Sequence, residues 1–228
     1  MSIRIALAAR SRLEHPVVSL LHMDGTAAST AFPDTRGSVW TAEGAAAVST
    51  TAPKFGTGCL TLNGSASWIQ APGDQRYMFG TSDFTVEGFF KTTRTASQCL
   101  IDFYMTNASG SWQLFQNAAG YISFYKTVGG SGIAVASQTS GTAITDGNYH
   151  HVAASRVSGT LRLFVDGVVA ATATDATNYN SLQGLCTVGA QVNSRNATYD
   201  FNGTIDEVRI SKKAWYSAAF TPPTAPFT

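Results

Sequence analysis

Two short stretches of the sequence carry side chains whose types could do chemistry together. "IDEVRI" (Ile205–Ile210) sets Asp206, Glu207 and Arg209 among three aliphatic residues. It can be read as a catalytic carboxylate pair, as metal ligands, or as a strand that closes a sheet. Successive side chains of a regular strand point to opposite faces, so Asp206 and Glu207 are expected apart and unable to act as a pair. The same geometry separates His150 and His151 in "NYHHVAAS", which therefore should not chelate one ion together. "TVEGFF" and "LIDFYM" each offer a single carboxylate, Glu87 and Asp102, with no partner nearby in sequence. No serine sits in a G-x-S-x-G elbow, and no glycine-rich phosphate loop opens a helix. Cys59, Cys99 and Cys186 lie far apart in apolar surroundings without metal-ligand spacing. Buried thiols are expected, with one Cys59–Cys186 or Cys99–Cys186 bridge as the alternative.

The elements that must position these residues are short and extended. The chain has 228 residues, enough for one large all-β domain with a substantial core. Charged residues make up only 13% and the formal net charge is +1, so no long-range field recruits nucleic acid or an anionic membrane. Helical periodicity is nearly absent; alternating runs bounded by Gly, Asn, Asp and Ser recur instead. "SLLHMDG" reads as a first strand, "CLTLNGSASWIQAP" as two, and "SDFTVEGFFKTT" as one that sets Phe84, Val86, Gly88 and Phe90 against Thr85, Glu87, Phe89 and Lys91. "SWQLFQNAAGYISFYKT" is a hairpin turning at Asn117–Gly120. "NYHHVAASRVSGTLRLFVDGVVAATAT" is a three-stranded meander whose turns are "SG" and "DG", residues that tolerate positive φ. "LCTVGA" and "GTIDEVRIS" supply the last strands. These runs predict a two-sheet antiparallel sandwich over residues 17–228, preceded by an N-terminal arm, residues 1–16. In the arm, arginines 4, 10 and 12 surround an apolar run too short for a signal peptide, and no stretch approaches the about 18 apolar residues of a membrane span.

Several of these stretches, in this order, resemble the laminin-G-like (LamG) jelly-roll domains of the concanavalin A-like lectin/glucanase superfamily. "LLHMDGT" is similar to that family's opening strand, and "FGTGCLTLNGSASWIQAP" to its loop, strand, turn and strand. "DFTVEGFFK" resembles its aromatic strand, with Phe89 where Trp is commoner. "DGNYHHVAASRVSGTLRLFVDGVV" resembles its meander, with Tyr149 for the usual Trp. "FNGTIDEVRISKKAWYSAAFTPP" is similar to its closing strand and return tail. The resemblance implies that "IDEVRI" closes the sandwich, that "AWYSAAFTPPTAPF" packs back along it through aromatics, and that the histidines are structural. It implies no catalysis either, since the Glu-x-Asp-x-x-Glu strand of glycosidases on this superfold is missing.

The same resemblance implies candidate sites. A calcium ion, the one cofactor to consider, would take Asp24, Asp34 and Asp206 if the first loop folds against the last strand. Alternatively Asp24 and Asp34 make turn hydrogen bonds, and Asp206 pairs with Arg209 or a backbone amide. A carbohydrate site would lie on loops carrying Asn178, Tyr179, Asn180, Arg195 and Tyr199, with Asn193, Asn196, Tyr104, Asn107 and Trp112 in similar segments. Stand-alone domains with such a front and tail look like phage and prophage structural products. The expected function is a non-enzymatic virion accessory protein assembled in the host cytoplasm: a decoration, head-fibre or tail component. It would meet other virion proteins or itself through residues 1–16, and host glycans through the sandwich, without nucleic acid or membrane insertion. The alternatives are a free carbohydrate-binding lectin and a cryptic glycosidase.

Overall fold

The computed structural model describes residues 15–228; the arm expected over residues 1–16 lies, but for His15 and Pro16, outside the described residues. Among the described residues sixteen strands form two eight-stranded antiparallel sheets. The first sheet runs β14 (Val168–Thr174), β13 (Thr160–Val165), β12 (His150–Val157), β7 (Phe84–Lys91), β16 (Asn202–Ser211), β5 (Cys59–Asn63), β4 (Ala47–Ser49), and β1 (Val17–Leu21) also pairs with β16. The second runs β11 (Ser131–Ser137), β10 (Ile122–Val128), β9 (Trp112–Gln116), β8 (Gln98–Phe103), β15 (Leu185–Val188), β6 (Trp68–Pro72), β3 (Val39–Glu43), β2 (Ala31–Pro33). This is the all-β jelly-roll sandwich expected from the alternating runs.

The period of two places the core. In β7, Phe84, Val86 and Phe90 point between the sheets; in β9 and β10 the inward residues are Trp112, Leu114, Ile122 and Phe124. An aromatic stack joins the layers, with Phe79 4.3 Å from Phe84 and 5.0 Å from Trp112. The meander turns at Ser158–Gly159 and Asp166–Gly167, all four residues at positive φ, the backbone that two-residue hairpins require. All three cysteines are free and buried.

The closing strand departs from a regular ladder. Asp206 stands opposite Phe89 and Arg209 opposite Glu87, so three steps on β16 match two on β7. The extra residue is a β-bulge, with Glu207 at φ 51. Ile205, Val208 and Ile210 still reach the core, and both carboxylates between them turn to the outer face. The expectation that Asp206 and Glu207 face opposite sides is therefore corrected: it assumed an unbroken period of two.

Candidate functional site

The outer faces of the two sheets differ. That of the first is closed. Glu87, wholly buried, takes Nε2–H of His151 at 3.0 Å, Nε–H of Arg209 at 2.8 Å and the Tyr216 hydroxyl at 2.8 Å. Burial would raise its carboxyl, but the His151 bond and the charges of His151 and Arg209 outweigh that and hold it below the usual range. Arg209 is sandwiched between the rings of Trp215 (4.4 Å) and Phe227 (4.3 Å). Glu207 accepts from His22 Nδ1 and from the Phe227 amide, both at 2.8 Å. The C-terminal tail is thus strapped over the sheet by ion pairs and rings, as the resemblance implied. Glu87, Asp206 and Glu207 have no open path to a substrate.

The second sheet leaves its outer face open as a groove of about 560 Å³. Its floor is built by the side chains that alternate with the core: Gln113 and Phe115 from β9, Tyr125 from β10. Tyr104, just past β8, and Tyr199, in the loop before β16, form its walls. Phe115 meets Tyr199 and Tyr125 edge to face, at 5.0 and 5.7 Å. Gly132 on β11 leaves room for the Tyr104 hydroxyl, which a Cβ there would strike. Ser194 Oγ accepts the Thr106 amide at 2.7 Å, latching the two wall loops together. Gln191, Arg195 and Asn196 complete the lining, in which no carboxylate stands among the described residues.

The charge of Arg195 is answered from inside the protein. Its Nη1 and Nη2 donate to the two oxygens of buried Asp200 at 2.6 and 2.7 Å, and its plane lies 5.0 Å from the Trp68 ring. Beneath the floor, Gln113 Nε2 donates to Asp102 at 3.1 Å. Burial pushes the Asp102 carboxyl well above the ordinary range.

This architecture places the protein. The laminin-G-type model of the Concanavalin A-like lectin/glucanases superfamily matches residues 63–219. The chain belongs to that superfamily. No curated protein matches it in sequence. Among solved structures similar to this superfamily member is the binding domain of a paraclostridial mosquitocidal protein, at TM-score 0.67 and 13% identity, over 90% of this chain and 50% of that one. Another is a domain of an extracellular arabinanase from Geobacillus stearothermophilus in complex with arabinotriose, at TM-score 0.62 and 17% identity, over 87% and 93%. A third is botulinum neurotoxin type C, whose cell entry depends on two ganglioside molecules, at TM-score 0.58 and 11% identity, over 83% and 48%. The chain spans about half the length of the toxin chains it matches. These likenesses concern the fold.

Of the residues expected to bind a ligand, Arg195 and Tyr199 line the groove together with Tyr104 and Asn196. Asn178, Tyr179 and Asn180 do not. Tyr179 is wholly buried, its hydroxyl donating to Asp175 at 2.9 Å and its ring 5.0 Å from the guanidinium of Arg156, a core cation bonded to backbone carbonyls. Trp112 is equally buried, its indole donating to the Tyr77 carbonyl at 2.9 Å. Gln113, Phe115 and Tyr125 were not anticipated.

The calcium candidates stand apart. Asp24 accepts the Thr57 and Gly58 amides, Asp34 the Leu20 and Arg36 amides and the Trp40 indole, and Asp206 the Lys54 and Phe55 amides. Among the described residues no group of three or more His, Cys, Asp or Glu could hold a metal ion. Asp34 thus makes the expected local turn bond, to Arg36. Asp24 instead reaches a distant loop, and Asp206 takes backbone amides while Arg209 goes to Glu87. The two histidines do face opposite ways, but both are buried: His151 lies under the tail, while His150 binds Asp166 at 2.6 Å and Asp146 at 2.9 Å.

Proposed function

We propose that this chain is a non-enzymatic glycan-binding module whose site is the groove on the outer face of the second sheet. The observation that carries this reading is the lining: four aromatic rings beside amides, hydroxyls and the paired Arg195, with no carboxylate among the described residues to act as acid, base or nucleophile. Sugars offer C–H faces to such rings and hydroxyls to such amides, whereas retaining or inverting hydrolysis needs two placed carboxyl groups. Related sandwiches solved as binding domains, one with arabinotriose, support the same reading. Screening the full chain against a glycan array tests it. Binding to an oligosaccharide, weakened by Tyr199→Ala, is expected, with no release of reducing ends. Turnover on any of these sugars would contradict the reading.

The finer assignment is a virion accessory protein that presents this groove to a host surface, with residues 1–16 as its attachment arm. Its support is the likeness of "LLHMDG" and "FTPPTAPF" to phage structural products. Removing residues 1–14 keeps the Pro16 carbonyl that accepts from the Lys212 amide, so the sandwich should fold. Loss of self-association or of attachment to particles is the expected result; unchanged assembly would remove this assignment.

A further inference from the structure

We infer that the groove selects uncharged glycans and rejects acidic ones, because its lining cation, Arg195, is already neutralised from within. This rests on the glycan reading of the same groove and narrows it to a ligand class. Arg195 is the one charged side chain among the described lining residues. Both of its terminal nitrogens are committed to Asp200. The Asp200 carboxylate is wholly buried and otherwise accepts only the Ala66 amide, while its backbone carbonyl accepts Arg94 Nη1 at 3.0 Å, so the pair cannot open without leaving the carboxylate without its ion partner in the interior. A uronate or sialate arriving at Arg195 would put a second carboxylate on one guanidinium. It would lose its hydration against Phe115 and Tyr199 without gaining a free counter-charge.

The floor adds no attraction for an anion. Gln113 points its Nε2 at Asp102, which leaves Oε1 as the group available to a ligand, an acceptor suited to a hydroxyl and not to a carboxylate. Three of the five N–H groups of Arg195 are not directed at Asp200 and can donate to neutral hydroxyls. Locking by Asp200 and stacking on Trp68 fix the direction of those donors before a sugar arrives. The geometry therefore reads hydroxyls by preplaced dipoles and treats extra negative charge as a penalty.

The test is calorimetric titration of the full chain with matched oligosaccharides that differ only in charge: hexose against hexuronate, and desialylated against sialylated. Neutral members should bind about tenfold or more tightly than their acidic partners. Their affinity should hardly change between low and high salt. Acidic members binding as well or better, with an affinity that falls as salt rises, would overturn the selection while leaving the glycan reading standing. Failure of every member to bind would overturn both. Asp200→Asn releases the charge of Arg195 and should bring acidic binding up toward neutral. Should that variant not fold, the salt dependence of acidic binding by the wild-type chain decides instead. A guanidinium already cancelled by Asp200 gives an acidic affinity that hardly changes with salt, whereas one that falls as salt rises would show that the guanidinium had been recruiting acidic sugars.

Discussion

The outer faces of the two sheets are made of similar residue types and do opposite things. On the first, Glu87, Glu207, Arg209 and His151 are saturated by one another and roofed by Trp215, Tyr216 and Phe227. On the second, Tyr125 and Tyr199 stay half-exposed over a buried Phe115, Arg195 is paired with Asp200, and burial raises the Asp102 carboxyl. The residues that look most chemical in the sequence are thus struts. The ones available to a ligand are rings and amides that look like ordinary strand residues. Ionisable groups are costly to bury, so where they sit deep they are tied to each other, as Glu87 is to Arg209, or to amides, as Asp206 and Asp102 are.

The largest expected effect breaks the closed face. Glu87→Ala leaves Arg209 and His151 without their carboxylate and should cost about 3–5 kcal/mol in urea unfolding. Replacing both partners, Glu87→Leu with Arg209→Met, should cost less than the single change. A single-variant loss below about 1 kcal/mol would mean that the network does not hold the tail.

Asp206 sharpens the same face through pH. Its burial, opposed by the Phe55 and Lys54 amides, pushes its carboxyl up to about 7. In an unfolded chain it would titrate near about 3.9. The folded state therefore holds the proton more firmly, and this contribution is complete below about 4 and lost as pH rises through about 7. Asp206→Asn should gain on the wild type by up to roughly 4 kcal/mol between those limits. A difference in stability that does not change with pH would place the carboxylate in water.

On the open face the effects move from stability to binding. Tyr199→Ala removes one ring wall and should weaken glycan binding about tenfold, with unfolding altered by less than about 1 kcal/mol. Gly132→Ala should have the smallest effect. Its Cβ pushes the Tyr104 hydroxyl aside and should reduce affinity a few-fold by the same titration, without a change in fold. Equal losses of stability from these variants would erase the distinction between the faces.

The sandwich, its meander and its return tail were legible because alternation, the "SG" and "DG" turns and "FNGTIDEVRIS" are local signals. Strands β2, β3, β4 and β11 were not: β2, β4 and β11 are edge segments, short or glycine-bearing, and β3, between β2 and β6, alternates weakly. The bulge was hidden because the residue at positive φ is Glu207 and not glycine. Its strain, of order 1 kcal/mol, is offset by the bonds to His22 and Phe227. The groove joins β8 to β11 with residues 191–199, an assembly no short window displays. Yet "WQLFQ" and "ISFYK" did carry a signal. With Trp112, Leu114, Ile122 and Phe124 inside, Phe115 and Tyr125 had to point out. The rim asparagines rest on a composition that solvated loops and sugar sites share; Asn196 lines the groove, and Asn178 and Asn180 lie outside it.

The central claim is that the open face binds and the closed face only holds. Titrating isotope-labelled protein with a neutral oligosaccharide and following its backbone amides by NMR tests it most directly. Saturable shifts should cluster at Tyr104, Gln113, Phe115, Tyr125 and residues 191–199, leaving Glu87, Arg209 and the tail unmoved. Shifts confined to the tail and the Glu87 network, or to the loop around Asn178–Asn180, would contradict it.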